Sequence, residues 1–184
     1  MTLFNKARSI RLMKTSNNTL KTKQPKARIN KKEGVRVWKL NGKIHREDGP
    51  AVEWLDDPNT KAWYLNGLRH REDGPAFERC DGCKMWFVNG VQHRTDGPAV
   101  VWGNGGEMWM VNGEYHRIGG PAWIVKHDPK SEREEWWVNN KRHRLDGPAV
   151  TWAKCPVWSN STKEYWVDGR EYTEEEFNKL TTKQ

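Results

Sequence analysis

Apolar and polar positions return in one phrase along most of this chain. The phrase is tryptophan, any residue, Leu or Val, Asn-Gly, two residues, His-Arg, one residue, then Asp-Gly-Pro-Ala. It reads Trp38 to Ala51, Trp63 to Ala76, Trp86 to Ala99, Trp109 to Ala122 and Trp136 to Ala149. A sixth, degraded copy opens at Tyr165, keeps Val167-Asp168-Gly169 and has Tyr172 where the others have histidine. Copy four replaces the aspartate with Gly119, and copy five replaces the first glycine with Asn140. Five matches at a period of 23 to 27 residues mark a repeat architecture.

The spacing predicts strands. From Asn to Ala the distance is ten residues in every full copy, while from that Ala to the next Asn (or Asp168) it is 15, 13, 13, 17 and 19. Every length change is a multiple of two, as a β-hairpin allows when each strand gains a residue. Pairing Phe77 with Trp86 predicts a turn at Asp81-Gly82, and pairing Val100 with Trp109 predicts one at Asn104-Gly105. Both dipeptides suit a type I′ turn, which needs φ > 0 at its two central positions. The same register puts the first tip at Asp57-Pro58 and the fourth at Pro129-Lys130, where proline excludes that turn type. The fifth tip, around Val157-Trp158, does not follow from the scheme.

Alternation along the strands then predicts two faces. One collects Val52, Phe77, Val100, Trp123 and Val150 with the leading Trp38, Trp63, Trp86, Trp109, Trp136 and Tyr165. It also takes Leu40, Leu65, Val88, Val111, Val138 and Val167, so it reads as the core. The other carries Lys39, Tyr64, Phe87, Met110, Trp137 and Trp166, turning from polar to aromatic along the chain. Tyr64, Phe87, Met110, Trp137 and Trp166 are the candidate protein-binding stripe, because exposed apolar rows mark interfaces.

The aromatic strand, the Asn-Gly and the glycine-containing link to the next hairpin resemble the MORN-repeat family, most closely its bacterial variant repeats, over residues 35–172. The His-Arg-x-Asp-Gly-Pro-Ala version is similar to uncharacterised repeat proteins encoded by large bacteriophages. The resemblance implies an all-β fold in which five to six hairpins stack into an elongated, twisted single-layer antiparallel sheet, a solenoid that scaffolds and binds rather than catalyses. The His-Arg-x-Asp insert departs from the usual pattern, so membrane-lipid roles are not carried over.

The insert is the obvious candidate for chemistry. His45, His70, His93, His116 and His143 are each followed by arginine (Arg46, Arg71, Arg94, Arg117, Arg144), and Asp48, Asp73, Asp96 and Asp146 follow two residues later. These types supply metal ligands, anion donors or acid–base groups. Repetition favours a structural staple instead: an enzyme needs one constellation, whereas every rung of a repeat protein has the same interface to satisfy. In that reading aspartate accepts backbone N–H groups at the turn, and arginine forks to an aspartate of its own or the next rung. Cys80-Asp81-Gly82-Cys83 is half a zinc site without a second pair, and reads as two cysteines at an exposed tip. His127 and Cys155 fall in other tips, and Gly103-Asn104-Gly105-Gly106 reads as a turn, not a phosphate cradle. With no P-loop, dinucleotide fingerprint, nucleophile elbow or zincin motif, neither an enzyme nor a cofactor or metal is expected.

Charge separates off the N-terminus. Of 32 Lys and Arg, ten lie in residues 1–34 (Lys6, Arg8, Arg11, Lys14, Lys21, Lys23, Lys26, Arg28, Lys31, Lys32) against one acid, Glu33. The remainder holds 22 basic and 23 acidic groups. Residues 1–34 therefore read as a basic arm, with a marginal amphipathic helix on Leu3, Phe4, Ala7 and Ile10 and a flexible segment from Pro25 to Gly34. Such an arm suits nucleic-acid phosphates or an acidic protein surface, and its acid-poor start also resembles a mitochondrial presequence. At the other end, Thr173 and Glu176 form a capping-box pattern opening a short helix in residues 173–184, expected to cover the last hairpin.

No apolar run is long enough for a membrane span, no secretory h-region is present, and three cysteines make no disulfide framework. The expected function is a non-enzymatic scaffold for protein binding or assembly, phage-encoded and acting in the cytoplasm or virion. A nucleic-acid binder anchored by the arm is the alternative, and a nucleotide binder using Trp and Arg side chains the third.

Overall fold

A computed structural model describes residues 24–126, 132–153 and 163–182. Among these residues the strands form one open antiparallel sheet of 14 strands, flanked by four two-stranded ladders, and a single short helix follows at the C-terminal end. The main sheet runs as a meander. Val52–Trp54 pairs with Lys61–Ala62, Phe77–Glu78 with Lys84–Met85, Val100–Val101 with Glu107–Met108, Trp123–Val125 with Arg133–Glu135, and Val150–Trp152 with Lys163–Val167.

The register differs by one residue from the predicted one. Phe77 faces Met85, not Trp86, and Val100 faces Met108, not Trp109. The cause is turn length. The Gly82 N–H donates to the Arg79 carbonyl and the Arg79 N–H to the Cys83 carbonyl, so the loop is Cys80-Asp81-Gly82 with only Gly82 at positive φ, +86°. Trp102, Gly105 and Gly106 repeat the arrangement around Gly103-Asn104-Gly105, with Gly105 at +82°. This is a three-residue hairpin loop closed by a glycine bulge. At the first tip the Thr60 N–H donates to the Asp57 carbonyl. The tips assigned to Pro129-Lys130 and Val157-Trp158 lie outside the described residues.

The two-residue turns belong to the phrase itself. Asn41-Gly42, Asn66-Gly67, Asn89-Gly90, Asn112-Gly113, Asn139-Asn140 and Asp168-Gly169 all have positive φ at both positions. Each closes a small hairpin, such as Phe87–Val88 with Val91–Gln92 or Trp137–Val138 with Lys141–Arg142. Asparagine, aspartate and glycine tolerate this left-handed geometry best. Leading tryptophan and closing alanine then seal each phrase into a loop. Trp38, Trp63, Trp86, Trp109 and Trp136 donate their N–H to Ala51, Ala76, Ala99, Ala122 and Ala149, and those alanines are fully buried.

A one-residue slip exchanges faces. With Phe77, Met85 and Val100 in cross-strand line, Phe87 falls on their face and Trp86 on the other. The predicted core is therefore split. Tyr64 and Phe77 pack on the cluster of Val35, Val52 and Ala62, whereas the leading tryptophans stand with Leu40, Leu65 and Val88 on the opposite face.

The N-terminal segment is also more ordered than its charge suggested. Lys26–Asn30 is a strand (β1) paired with Val35–Leu40 (β2), Lys26 opposite Lys39 and Asn30 opposite Val35, with Gly34 at φ +62° in the turn between them. Edge strands tolerate charge, so Lys26 and Arg28 did not exclude one. At the far end, Glu174–Thr181 is a helix (α1) with the expected capping box at Thr173. Its buried Phe177 packs 4.9 Å from the Tyr165 ring, and the Tyr165 hydroxyl donates to Glu174 at 2.6 Å, which pushes the phenol up to about 12.

Candidate functional site

On the tryptophan face each copy builds the same clamp. The arginine of His-Arg lies flat over its own copy's leading tryptophan, at 4.2, 4.2, 4.1, 3.8 and 4.0 Å from guanidinium carbon to ring centre for Arg46, Arg71, Arg94, Arg117 and Arg144. Its Nη1 donates to the proline carbonyl of the same loop, at 2.9 to 3.4 Å. On the other side lies the glycine before that proline. A Cβ there would sit 3.1, 3.0, 2.6, 2.9 and 3.3 Å from the guanidinium carbon at Gly49, Gly74, Gly97, Gly120 and Gly147. Close approach, not backbone torsion, therefore favours this glycine, most at Gly97 and Gly120, where any side chain would push the guanidinium off its place.

Aspartate is the dispensable member. Nε donates to Asp48, Asp73, Asp96 and Asp146 at 2.7 to 2.9 Å, always within the same copy. Copy four has Gly119 instead, yet Arg117 makes the shortest stack of the five. The arginine hydrogen bond, with the nearby charge, holds those four carboxyls below their ordinary value of 3.8.

The histidines join copies. The turn N–H of the next copy (Asn66, Asn89, Asn112, Asn139, Asp168) donates to Nδ1 of His45, His70, His93, His116 and His143, at 3.1 to 3.3 Å. In four of these pairs the same nitrogen lies 2.8 to 3.1 Å from the side-chain oxygen of that residue, so Nδ1 accepts from the N–H when bare and donates to the oxygen when it carries a proton. The arginine N–H beside each histidine donates to the carbonyl of Tyr64, Phe87, Met110, Trp137 or Trp166 in the next copy. The tryptophan face leaves open clefts of about 630 and 640 Å³ between copies and one of about 600 Å³ between copy one and Gln24-Pro25, floored by tryptophan and Leu or Val and rimmed by the arginine–aspartate pairs.

The opposite face concentrates aromatic rings and guanidiniums. Tyr64, Phe87, Met110, Trp137 and Trp166 all lie there, together with Phe77, Trp123 and Tyr115, the last stacked 6.1 Å from Trp123 and 5.4 Å from Trp137. Met110 is buried and the other four stripe residues are half-buried. Arg69 lies over Tyr64, Phe77 and Phe87, and Arg142 over Trp137 and Trp166. The stripe is thus the middle of a broad surface rather than an isolated row.

At the C-terminal half of this face sits a charged centre that the sequence reading missed. Glu135 is fully buried. It accepts from Arg142 Nε and Trp137 Nε1, each at 3.1 Å, while Arg133 Nε stands 2.8 Å from its other oxygen without aligning its N–H. Arg142 Nη1 also reaches Glu164 at 3.1 Å, and Glu164 accepts from Trp166 Nε1 at 2.9 Å. Earlier copies place Ala62, Met85 and Met108 at the same ladder position. Only the correct register reveals that a carboxylate occupies a core position there.

The remaining candidates are dispersed. Cys80 is exposed but Cys83 is buried, which corrects the picture of two exposed tip thiols. A hydrogen bond to Asp57 pushes the Cys80 thiol up, burial pushes the Cys83 thiol up, and Arg79 holds Asp81 down at about 2. Both thiols are disfavoured as thiolates. Among the described residues no three metal-ligating side chains come together. Of the basic segment, Lys26 and Arg28 are exposed on β1 and Lys31 and Lys32 in the following turn. Lys6, Arg8, Arg11, Lys14, Lys21 and Lys23 lie outside the described residues, as do His127 and Cys155. No described helix is long and apolar enough to cross a membrane.

Gly97→Ala should destabilise the protein by about 1–3 kcal/mol in urea unfolding, through the forced Arg94 displacement. Adding Arg94→Ala should relieve part of that cost, and additive effects would exclude the clamp. Because the four loop carboxyls are depressed when folded, their contribution is present above the unfolded value and is lost as pH falls through the folded one. Replacing Asp48, Asp73, Asp96 and Asp146 together with asparagine should flatten the fall in melting temperature as pH drops below the ordinary carboxyl value of about 4. An unchanged slope would show the pairs to be energetically silent.

Compared with protein-family models, with curated proteins and with solved structures, the chain finds no match in any of the three.

Proposed function

We propose that this chain is a non-enzymatic repeat scaffold of MORN-like build, of the kind encoded by large bacteriophages, and that its aromatic–arginine face holds a protein partner or a larger assembly. The observation that carries this reading is the composition of that face. Tyr64, Phe77, Phe87, Tyr115, Trp123, Trp137 and Trp166 lie interleaved with Arg69, Arg133 and Arg142 on one side of the sheet. Trp, Tyr and Arg are the residues that dominate binding energy at protein interfaces. Ion pairs to Glu135 hold Arg133 and Arg142, and a hydrogen bond to the Tyr64 hydroxyl holds Arg69, over the rings before any partner arrives, so little side-chain entropy remains to be lost on binding. On the other face the arginine clamps are spent on holding each loop and the histidines on joining copies, which argues for scaffolding over catalysis.

A nucleic-acid reading has its own support in the exposed Lys26, Arg28, Lys31 and Lys32. It places the affinity in the basic segment and leaves the aromatic face for something else. Cytoplasm or virion is the compartment that fits the phage resemblance.

A partner captured on the full chain should lose about 2 kcal/mol or more of binding free energy on Trp137→Ala, measured by calorimetry. Phe87→Ala, which removes no hydrogen bond to Glu135, should weaken binding in the same direction; undiminished affinity in both folded variants would remove the face from the interface. If instead the basic segment binds nucleic acid, anisotropy titrations with duplex DNA should show affinity falling steeply between about 50 and 200 mM salt and vanishing in a residue 35–184 chain.

A further inference from the structure

The two ends of the sheet are finished differently. The C-terminal end carries α1, whose Phe177 packs on Tyr165 and whose Glu174 accepts from the Tyr165 hydroxyl. The N-terminal end is β1, which among the described residues pairs only with β2 and is exposed at all five positions. A strand in that position presents alternate backbone N–H and C=O groups outward, a template for one more strand.

The side chains of β1 select what may use it. Lys26 and Arg28 share a face, about 7 Å apart along the strand, with Lys39 directly opposite Lys26. Lys31 and Lys32 follow in the turn, and none of the five forms an ion pair with a described residue. From Gln24 to Gly34 the only acid is Glu33, and residues 1–23 contain none. Two copies of β1 laid side by side would set like charges against each other, which is destabilising across a ladder. A nucleic acid could neutralise the cations, but its backbone offers acceptors without the alternating donors that the strand carbonyls require.

We propose that β1 is a docking edge that takes an extended, acidic segment of a partner protein as an added strand, with carboxylates at every second position facing Lys26 and Arg28. This names a partner chemistry for the binding role proposed above and rests on that role being protein binding. It does not depend on the aromatic face.

The test uses the full chain with short fluorescein-labelled peptides: one alternating glutamate and threonine, one alternating lysine and threonine, and the glutamate peptide N-methylated at alternate residues. Anisotropy should show binding of the first alone, and amide exchange should slow at Lys26–Asn30. The double variant Lys26→Glu/Arg28→Glu should cost the glutamate peptide about tenfold or more in affinity and admit the lysine peptide. Equal binding of the N-methylated peptide, or no protection of β1, would reduce the effect to general charge attraction and overturn the proposal. Single-stranded DNA that protects β1 better than the glutamate peptide would overturn it in favour of a nucleic-acid edge. Trp137→Ala should leave peptide binding unchanged, so failure here and failure of the aromatic-face reading are separate results.

Discussion

Five arginine side chains lie flat between a tryptophan ring and a glycine, and the rest of the structure is arranged around that clamp. Each stack is worth about 1 kcal/mol in this partly exposed setting, a modest amount taken singly. Its importance is geometric. The guanidinium fixes the loop from histidine to alanine, and that loop delivers the histidine to the next turn and the arginine N–H to the next strand. Copy four shows which parts are essential: without an aspartate, Arg117 keeps its ring and its proline carbonyl. Tryptophan, arginine, glycine and proline are the minimum set.

Much of this was legible in the sequence. The phrase, the β character, the capping box at Thr173 and the structural weight of His-Arg-x-Asp all follow from residue types and spacing. What failed was one residue of register. Asp81-Gly82 and Asn104-Gly105 look like two-residue turns, but the chain uses them in three-residue loops with only the glycine at positive φ. The true two-residue turns were the repeated Asn-Gly pairs. Because side chains alternate with a period of two, that single slip moved Tyr64 and Phe87 onto the face of Phe77 and hid Glu135. The strand Lys26–Asn30 was obscured for a different reason, since its charges outweighed its alternation.

The two faces divide the labour. One joins copies through backbone and histidine bonds that recur with little change. The other varies along the chain, from the apolar neighbourhood of Val35, Val52 and Ala62 to the buried carboxylate between Arg133 and Arg142. Removing one partner from a buried charge typically costs about 3–5 kcal/mol, so the C-terminal half of that face is chemically more exacting than the N-terminal half. Constancy on one side leaves the other free to vary without disturbing the framework.

The histidine-to-turn bond has a mechanical meaning. Each copy is tied to its neighbour by the same few bonds, and those ties lie one after another across the sheet. Load applied along that direction passes through every seam in turn, as in a chain of links, and strength is set by the poorest seam instead of the average. The seam from His116 to Asn139 follows the one loop with no carboxylate to restrain its arginine. Under tension it is there that the sheet would part, leaving four copies on one side and the fifth with the degraded sixth on the other.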